Sequence, residues 1–399
     1  MKKVFSLIVA ILLCFCLLSC KKNEKITEDG ENYTSYTAKT YSSTSHFNSI
    51  TNLTLFSNYK KKENVNKFNE VKKIVIDDLT EIENTISTSV EGSDVYKFNN
   101  ANAGEKVEIS SLTYFLLERA KEYHALTGGA FNPSVYNLCD LWGFTARFKG
   151  NYAPKFDYDR ENYKTNLPSQ EYIDGFKKLC NFNDLVLTCE GEKFYAIKPT
   201  NTVVINGVTY SMKIDLGGLG KGYAVDLLKE KIKEKGFNFG YLSLGNSSIA
   251  LLKSVGDKKA KSGDYDFNLN LVNPVVSNKH KESSYAVLFS FDDFVSTSGD
   301  YVKCYDLKER RYCHVISSET GEPIQTKIHS VTIVGKSALE TDALSTAIIV
   351  MGKDRAVSFI REKLSDCKVV FLKSELADYT VYTNVDALEL KCDFKMEKI

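Results

Sequence analysis

Four glycines between Gly217 and Gly222 restrict the local backbone of this 399-residue chain more than any other segment does. The surrounding pattern predicts a short strand from Lys213, a turn through the glycines, and an amphipathic helix that continues to Ile232. Glycines let backbone N–H groups approach a ligand closely, a helix start favours anions, and Lys221 adds a positive charge. The segment suits a phosphate group, although a tight strand-to-helix turn without any ligand has the same pattern. Its glycine spacing matches neither a Walker loop nor a dinucleotide fingerprint.

A second polar segment lies in the pattern from Ser337 to Gly352, which predicts a helix that ends at the glycine. Asp342 and Thr346 are four residues apart and therefore share one helix face. A carboxylate and a hydroxyl side by side are two hard oxygen ligands, which suits a magnesium ion that keeps waters and bridges to a diphosphate. The same spacing also fits two polar residues on a solvated helix face.

A third segment combines a polar strand end, Val295–Tyr301, with a histidine, His314, that follows Arg311-Tyr312-Cys313. The chain has only five histidines. A histidine at a strand end near hydroxyls and an acid can act as a general base, and it can equally be a hydrogen-bonded structural residue.

The N-terminus has the pattern of an export signal. Lys2 and Lys3 precede an apolar stretch from Val4 to Leu18, and the stretch ends at Ser19-Cys20. This resembles a lipobox, in which the cysteine is acylated; an ordinary secretory signal is the alternative. We therefore expect a signal peptide over 1–19, lipidation at Cys20, a flexible tether over 20–38, and one compound domain over 39–399.

Composition excludes several classes of protein. Lys plus Arg number 52 and Asp plus Glu 51, so no long-range field favours a polyanion, and a nucleic-acid partner is not expected. Seven cysteines follow Cys20 without a C-x-x-C pair, which argues against a structural zinc site or a thioredoxin-like motif. Buried free thiols are the default, and any disulfide pairing is left open.

Apolar periodicity predicts helices over Lys72–Thr88 and over Ser111–Thr127, and both should pack on a sheet. The segment Lys149–Gln170 has no periodicity and is interpreted as an insertion or long surface loop.

In combination, and in this order along the chain, several motifs resemble the ApbE family of FAD:protein FMN transferases. They are Gly128-Gly-Ala-Phe-Asn-Pro-Ser-Val135 with Leu141-Trp-Gly-Phe144, Asp215-Leu-Gly-Gly-Leu-Gly-Lys-Gly-Tyr223, Thr297-Ser-Gly-Asp-Tyr301, His314-Val-Ile316 and Thr341-Asp-Ala-Leu-Ser-Thr346. The resemblance implies a single α+β domain, T-fold-like, with mixed sheets and flanking helices. It implies Mg²⁺ as cofactor, FAD as substrate, and transfer of FMN to a Thr or Ser of an acceptor with release of AMP.

The resemblance also implies roles for individual residues and a cellular setting. Asp342, Thr346 and the Gly218 carbonyl would hold the metal; Phe47, Ala130, Phe131, Asn132, Asp215, Lys221 and Tyr301 would contact FAD; and His314, Lys221 and Asp300 would be catalytic. The acceptors would be flavoprotein subunits of membrane respiratory complexes. The lipoprotein would face the periplasm, with the inner membrane favoured over the outer. A magnesium-dependent FAD pyrophosphatase and a non-catalytic flavin-binding lipoprotein are the alternatives.

The chain departs from the family pattern at four places, besides having Phe47 where a methionine is usual. Asn132 replaces an Asp in G-x-F-D-P, and Ser89 stands where many members place an aromatic residue against the flavin. Ser317-Ser318 replaces Asp-Pro after the histidine, and Gly245-Asn246 replaces a Gly-Gly pair. We expect the first two to change contacts with the flavin.

Overall fold

A computed structural model describes residues 27–28, 31–32, 35–145, 167–253, 267–275, 280–291, 293–307, 310–375 and 378–399. The predicted signal peptide, Cys20 and most of the Lys149–Gln170 segment lie outside these residues. Within them, no helix is both long and apolar enough to cross a membrane.

The described residues form seven α-helices, short 3₁₀ helices and twenty-one strands. The helices are α1 (Lys62–Ile86), α2 (Asp94–Asn100), α3 (Ser111–Leu126), α4 (Tyr136–Leu141), α5 (Gln170–Lys177), α6 (Gly217–Glu234) and α7 (Ala338–Lys363). The strands are β1 (Thr27–Glu28), β2 (Glu31–Asn32), β3 (Thr37–His46), β4 (Ser49–Ser57), β5 (Lys106–Ile109), β6 (Val186–Glu190), β7 (Lys193–Ile197), β8 (Thr202–Ile205), β9 (Val208–Ser211), β10 (Gly240–Leu244), β11 (Ser248–Leu251), β12 (Phe267–Val272), β13 (Ser284–Ser290), β14 (Phe294–Gly299), β15 (Cys304–Leu307), β16 (Arg310–Cys313), β17 (Ile328–Gly335), β18 (Lys368–Glu375), β19 (Asp378–Thr383), β20 (Leu388–Leu390) and β21 (Lys395–Lys398).

A nine-stranded sheet in the order β21-β19-β18-β17-β14-β11-β10-β4-β3 is the centre of the fold. Adjacent strands in this sheet are antiparallel, except that β19 and β21 are parallel. The interior strand β17 is almost entirely buried because both of its faces are covered. Smaller sheets surround this one, with orders β12-β13-β20, β5-β7-β6, β15-β16 and β8-β9, and β1 pairs with β2.

Helix α1 packs an apolar stripe against the core. Phe68, Val71, Val75, Leu79 and Ile82 recur at three- and four-residue intervals and are all buried. Burying each such side chain contributes roughly 1.5–3 kcal/mol. The helix runs over Lys62–Ile86 rather than over the predicted Lys72–Thr88, and its apolar stripe already begins before Lys72, at Phe68 and Val71.

Helix α3 confirms the second predicted helix. Ser110 caps its start by accepting a hydrogen bond from the Thr113 amide at 3.2 Å. The helix ends at Leu126, just before Gly128 and Gly129, whose φ angles of 58° and 85° favour glycine.

Helix α6 corrects the prediction for the glycine segment. No strand forms at Lys213, and the four glycines make up the first turns of the helix itself. Asp215 Oδ1 accepts a hydrogen bond from the Gly217 amide at 2.7 Å, which pairs one of the amides that the first helical turn leaves free.

Helices α6 and α7 cross at Gly222. A Cβ added to this glycine would overlap the backbone of Ala338 at the start of α7, so only glycine allows so close an approach. Helical geometry is interrupted at Gly352, with φ 71° and ψ 172°, and then resumes to Lys363. The predicted end at Gly352 is therefore a kink in a longer helix.

Candidate active site

Asp342 lies in the second turn of α7 and is 7% exposed. This burial excludes the alternative that Asp342 lies on a solvated helix face. The Ser248 hydroxyl on β11 lies 2.8 and 2.9 Å from its two carboxylate oxygens, and the Gly222 amide also bonds to it. Burial raises the pKa of Asp342, and the nearby Lys221 charge partly offsets that effect. The structure therefore holds a carboxylate at the crossing of α6 and α7.

Thr346 lies one turn after Asp342 on the same face of α7. Its hydroxyl donates to the Asp342 carbonyl at 3.2 Å and lies 3.1 Å from the Ser298 hydroxyl on β14. The predicted pairing of these two oxygen groups on one helix face is what the structure shows.

The glycine start of α6 is flanked by two of the predicted flavin-contacting residues. The Phe131 ring lies next to Gly218 at 3.3 Å from where a Cβ would be, and the Phe47 ring lies next to Gly220 at 3.4 Å. Gly217 and Gly218 are themselves exposed. A ligand can therefore reach the backbone at the start of this helix.

The loop after α3 carries Ala130, Phe131 and Asn132. Ala130 and Phe131 are buried, and the Phe131 carbonyl accepts from His124 Nδ1 at 2.8 Å. These contacts fix the loop beside α6.

Asn132 has a structural reason to differ from the family's Asp. Its amide nitrogen donates to the Cys180 carbonyl at 2.8 Å, which a carboxylate could not do. Its Oδ1 accepts from the Ser134 amide at 2.9 Å, and the neighbouring Pro133 carbonyl accepts from the Asp215 amide at 2.9 Å. The bond between Pro133 and Asp215 thus ties the loop that carries Asn132 to the segment before α6.

Lys221 projects from α6 and bonds to the Ser247 hydroxyl. Burial lowers the pKa of Lys221, while the charge of Asp342 acts in the opposite direction. Ser247 lies in the turn after β10, where Gly245 and Asn246 have φ angles of 64° and 56°. Asparagine tolerates this left-handed conformation, so the Gly-Asn departure keeps the turn.

His314 directly follows β16, and its amide donates to the Lys303 carbonyl at 2.9 Å. Burial and the charges of Lys303 and Lys221 lower the pKa of His314 to about 3, so the ring is neutral at neutral pH. Its Nδ1 is buried and has no hydrogen-bond partner among the described residues.

Lys303 was missed in the sequence because no motif contains it. Its positive charge acts to lower the pKa of His314, of Lys221 and of Asp215. Lys303 is recognisable only from the register of the β15–β16 hairpin, which places it opposite His314. Ser248 and Ser247 were also missed, since lone serines carry no pattern.

Asp300 and Tyr301 follow β14 and make contacts with groups other than the Nδ1 of His314. Asp300 Oδ2 lies 2.9 Å from His329 Nδ1, and its Oδ1 is buried without a partner among the described residues. The Tyr301 ring folds back over Gly299. Neither residue hydrogen-bonds the Nδ1 of His314, so their predicted roles in the site remain predictions.

The two remaining departures from the family pattern, at Ser317-Ser318 and at Ser89, lie in turns. Ser317 Oγ accepts from the amides of Glu319 and Thr320 at 3.2 and 3.3 Å, as an Asp would. Ser89 is exposed between α1 and α2, with its amide bonded to Ser87 Oγ at 3.2 Å. Ser89 supplies no aromatic ring.

The donor set fits magnesium better than a soft metal. No cluster of three His, Cys, Asp or Glu side chains occurs in the described part of the chain. Asp342, Thr346 and the exposed Gly218 backbone are hard oxygen donors, and this small set leaves room for waters, as Mg²⁺ prefers.

The sequence profile of the ApbE family matches residues 34–371. The chain belongs to the ApbE family. This ApbE chain is 25% identical over 283 residues to the FAD:protein FMN transferase of Vibrio cholerae serotype O1, covering 70% of this chain and 73% of that protein. It is 24% identical over 358 residues to the FAD:protein FMN transferase of Haemophilus influenzae, covering 90% of each.

A solved structure resembles this ApbE chain over most of its length. The crystal structure of the ApbE protein of Thermotoga maritima has a TM-score of 0.65 and 26% identity, covering 84% of this chain and 94% of that one. The predicted family and the α+β fold of its domain are confirmed.

Proposed function

We propose that this protein is an FAD:protein FMN transferase that attaches FMN to a Thr or Ser hydroxyl of an acceptor protein and releases AMP. The observation that carries the proposal is the buried Asp342 carboxylate, which lies with Thr346 and Lys221 at the glycine start of α6. An anion-binding helix start beside a hard-oxygen cation site is what a diphosphate requires. The names of the relatives from Vibrio cholerae and Haemophilus influenzae support the same activity.

The proposed reaction is an in-line displacement at phosphorus. The acceptor hydroxyl oxygen bonds to the FMN phosphorus, and the bond from that phosphorus to the bridging oxygen breaks, so that AMP leaves. Such a reaction depends on positioning and charge neutralisation more than on covalent chemistry by the protein. Mg²⁺ held by Asp342, Thr346 and the Gly218 carbonyl would supply positive charge to the diphosphate oxygens.

The side chains supply the remaining functions. Lys221 and the amides of the first turn of α6 stabilise the phosphate oxygens. His314 takes the proton from the acceptor hydroxyl, since its ring is neutral. Lys221 and Lys303 weaken this base in the free protein, and an anionic diphosphate beside them offsets their charges and raises its basicity when substrate is bound.

The flavin end of FAD lies against Phe47 and Phe131, which flank α6. We place the acceptor among flavoprotein subunits of membrane respiratory complexes. In this proposal the protein is anchored through lipidated Cys20 and faces the periplasm, at the inner membrane. The export-signal pattern of the first twenty residues supports this setting.

Product analysis tests the proposal against its two alternatives. The protein is incubated with FAD, Mg²⁺ and a protein domain bearing a candidate acceptor threonine, and nucleotides and protein-bound flavin are separated by chromatography. AMP together with protein-bound flavin in equal amounts supports the transferase. AMP with free FMN identifies a pyrophosphatase, and intact FAD identifies a flavin-binding protein.

A further inference from the structure

The hairpin β15–β16 carries two cysteines in register. Cys304 is the direct partner of Cys313, and Tyr305 is the direct partner of Tyr312. In a β-ladder, directly opposed side chains lie on the same face of the sheet. The two thiols therefore lie side by side on one face of the hairpin.

The other face of the hairpin is fixed by aromatic packing. The rings of Tyr305 and Tyr312 stack at 5.4 Å, and Tyr312 stacks on Trp142 at 5.5 Å. Because strand side chains alternate, this packing directs Cys304 and Cys313 to the opposite face. There Cys313 belongs to the main core and Cys304 packs against it.

The hydrogen-bond pattern of the hairpin places Cys304 and Cys313 at a type of position where opposed Cα atoms lie close together. The His314 amide donates to the Lys303 carbonyl at 2.9 Å, so Lys303 and His314 form a hydrogen-bonded pair of the antiparallel ladder. Pairs alternate along such a ladder, which makes Cys304 and Cys313 a non-hydrogen-bonded pair with Cα atoms about 4.5 Å apart. Disulfides span Cα separations of about 4.4–6.8 Å, so the pair can be bridged without moving the backbone.

The thiols are free and differ in accessibility. Cys313 is 1% exposed, whereas Cys304 is half-buried. Burial raises the pKa of the Cys313 thiol to about 12, and the charge of Cys304 acts in the same direction, as expected of a close neighbour. Cys304 is therefore the thiol that an external reagent meets first.

We propose that Cys304 and Cys313 form a cross-strand disulfide when the protein meets a small-molecule or protein disulfide oxidant. The Cys304 thiolate attacks the oxidant, forms a mixed disulfide and displaces one thiol. The Cys313 thiolate then attacks Cys304 Sγ and displaces the second thiol. Two protein thiols lose their protons and are oxidised, and one disulfide is reduced to two thiols.

The bond closes the hairpin at the pair next to Lys303 and His314. A two-stranded sheet is marginal by itself, so a covalent link at its base holds the two strands in place. Any effect of the bond on catalysis by His314 rests on the proposed function, whereas formation of the disulfide does not.

The test is equilibration of the purified protein in glutathione buffers of increasing oxidised fraction, followed by acid quenching, alkylation and peptide mass spectrometry. We expect a Cys304–Cys313 cross-link that a reductant reverses, and a melting temperature raised by roughly 5 °C. The Cys304→Ser variant should show neither change. The Cys189→Ser variant, which lacks the exposed thiol on β6, should show both.

Two outcomes would overturn the inference. One is that Cys304 and Cys313 remain fully alkylated in the most oxidising buffer. The other is that Cys139 and Cys180 cross-link in their place. Neither depends on flavin chemistry, so failure of the disulfide and failure of the proposed transferase are distinguished.

Discussion

The Ser248 hydroxyl lies 2.8 and 2.9 Å from the two carboxylate oxygens of Asp342. Ser248 starts a strand of the central sheet and Asp342 lies in α7, so this contact joins the sheet to the helix that carries the proposed metal ligands. The Ser248 and Ser296 hydroxyls and the Gly222 amide donate to this buried carboxylate, whose two oxygens have about four lone-pair sites, so lone pairs are left for a cation. The position of Asp342 therefore depends on how closely α6, α7 and the sheet pack.

The helix crossing gives the first prediction. We expect Gly222→Ala to destabilise the protein by about 1–3 kcal/mol, because the new Cβ overlaps the Ala338 backbone, which cannot yield. Gly220→Ala is the matched control: its Cβ meets the Cδ1 methyl at the flexible end of Ile86. Urea unfolding measures both. Equal losses of stability would contradict the close crossing.

Asp226 gives the second prediction. Its carboxylate caps α7, accepting from the Ala338 and Leu339 amides at 2.6 and 3.0 Å and from the Ser337 hydroxyl at 2.8 Å. Asp226→Ala should cost about 2 kcal/mol in the free energy of unfolding and weaken Mg²⁺ binding measured by calorimetry. Asp226→Asn, which keeps one acceptor oxygen, should lie in between. Unchanged stability in Asp226→Ala would show that the cap is dispensable.

The third prediction concerns the charge of His314. Because its pKa is lowered to about 3, its imidazole should not titrate in an NMR experiment between about pH 5 and pH 8. In Lys303→Met one charge that disfavours the imidazolium is lost, so the pKa should rise and the ring should become protonated at higher pH than in the wild type. A wild-type midpoint near the ordinary value of about 6.5 would contradict this environment.

Lys303 gives the fourth prediction, which uses binding rather than turnover. In EDTA, to prevent reaction, Lys303→Met should bind FAD about tenfold more weakly, since a charged contact to phosphate contributes roughly 1.5 kcal/mol. Lys303→Arg keeps the charge and should bind FAD nearly as well. Riboflavin, which has no phosphate, is the control ligand. If riboflavin affinity falls by the same factor, Lys303 does not contact the phosphates.

Much of the fold and site could be predicted because the informative residues are local. The stripe of α1, the Ser110 cap of α3 and the spacing of Asp342 and Thr346 are all patterns within one element. The family resemblance then supplied the order of the motifs along the chain.

The features that could not be predicted from the sequence depend on contacts between residues far apart in the chain. Lys303 is recognisable only once the hairpin register places it opposite His314, and Ser248 only once β11 packs against α7. The predicted strand at Lys213 was wrong: the helix begins at Gly217, whose amide donates to the Asp215 side chain. The contact of Asp300 with His329 depends on two strands meeting, which no local pattern indicates.

The most direct test of the proposed transferase is the intact mass of an acceptor domain after incubation with FAD, Mg²⁺ and this protein. We predict a mass gain equal to FMN on a single Thr or Ser, lost on chelation and in Asp342→Asn, but kept in Glu340→Gln, a control on the same helix. His314→Ala should reduce the gain sharply while FAD binding survives. An acceptor of unchanged mass, with FAD converted to free FMN and AMP, would contradict transfer and favour hydrolysis.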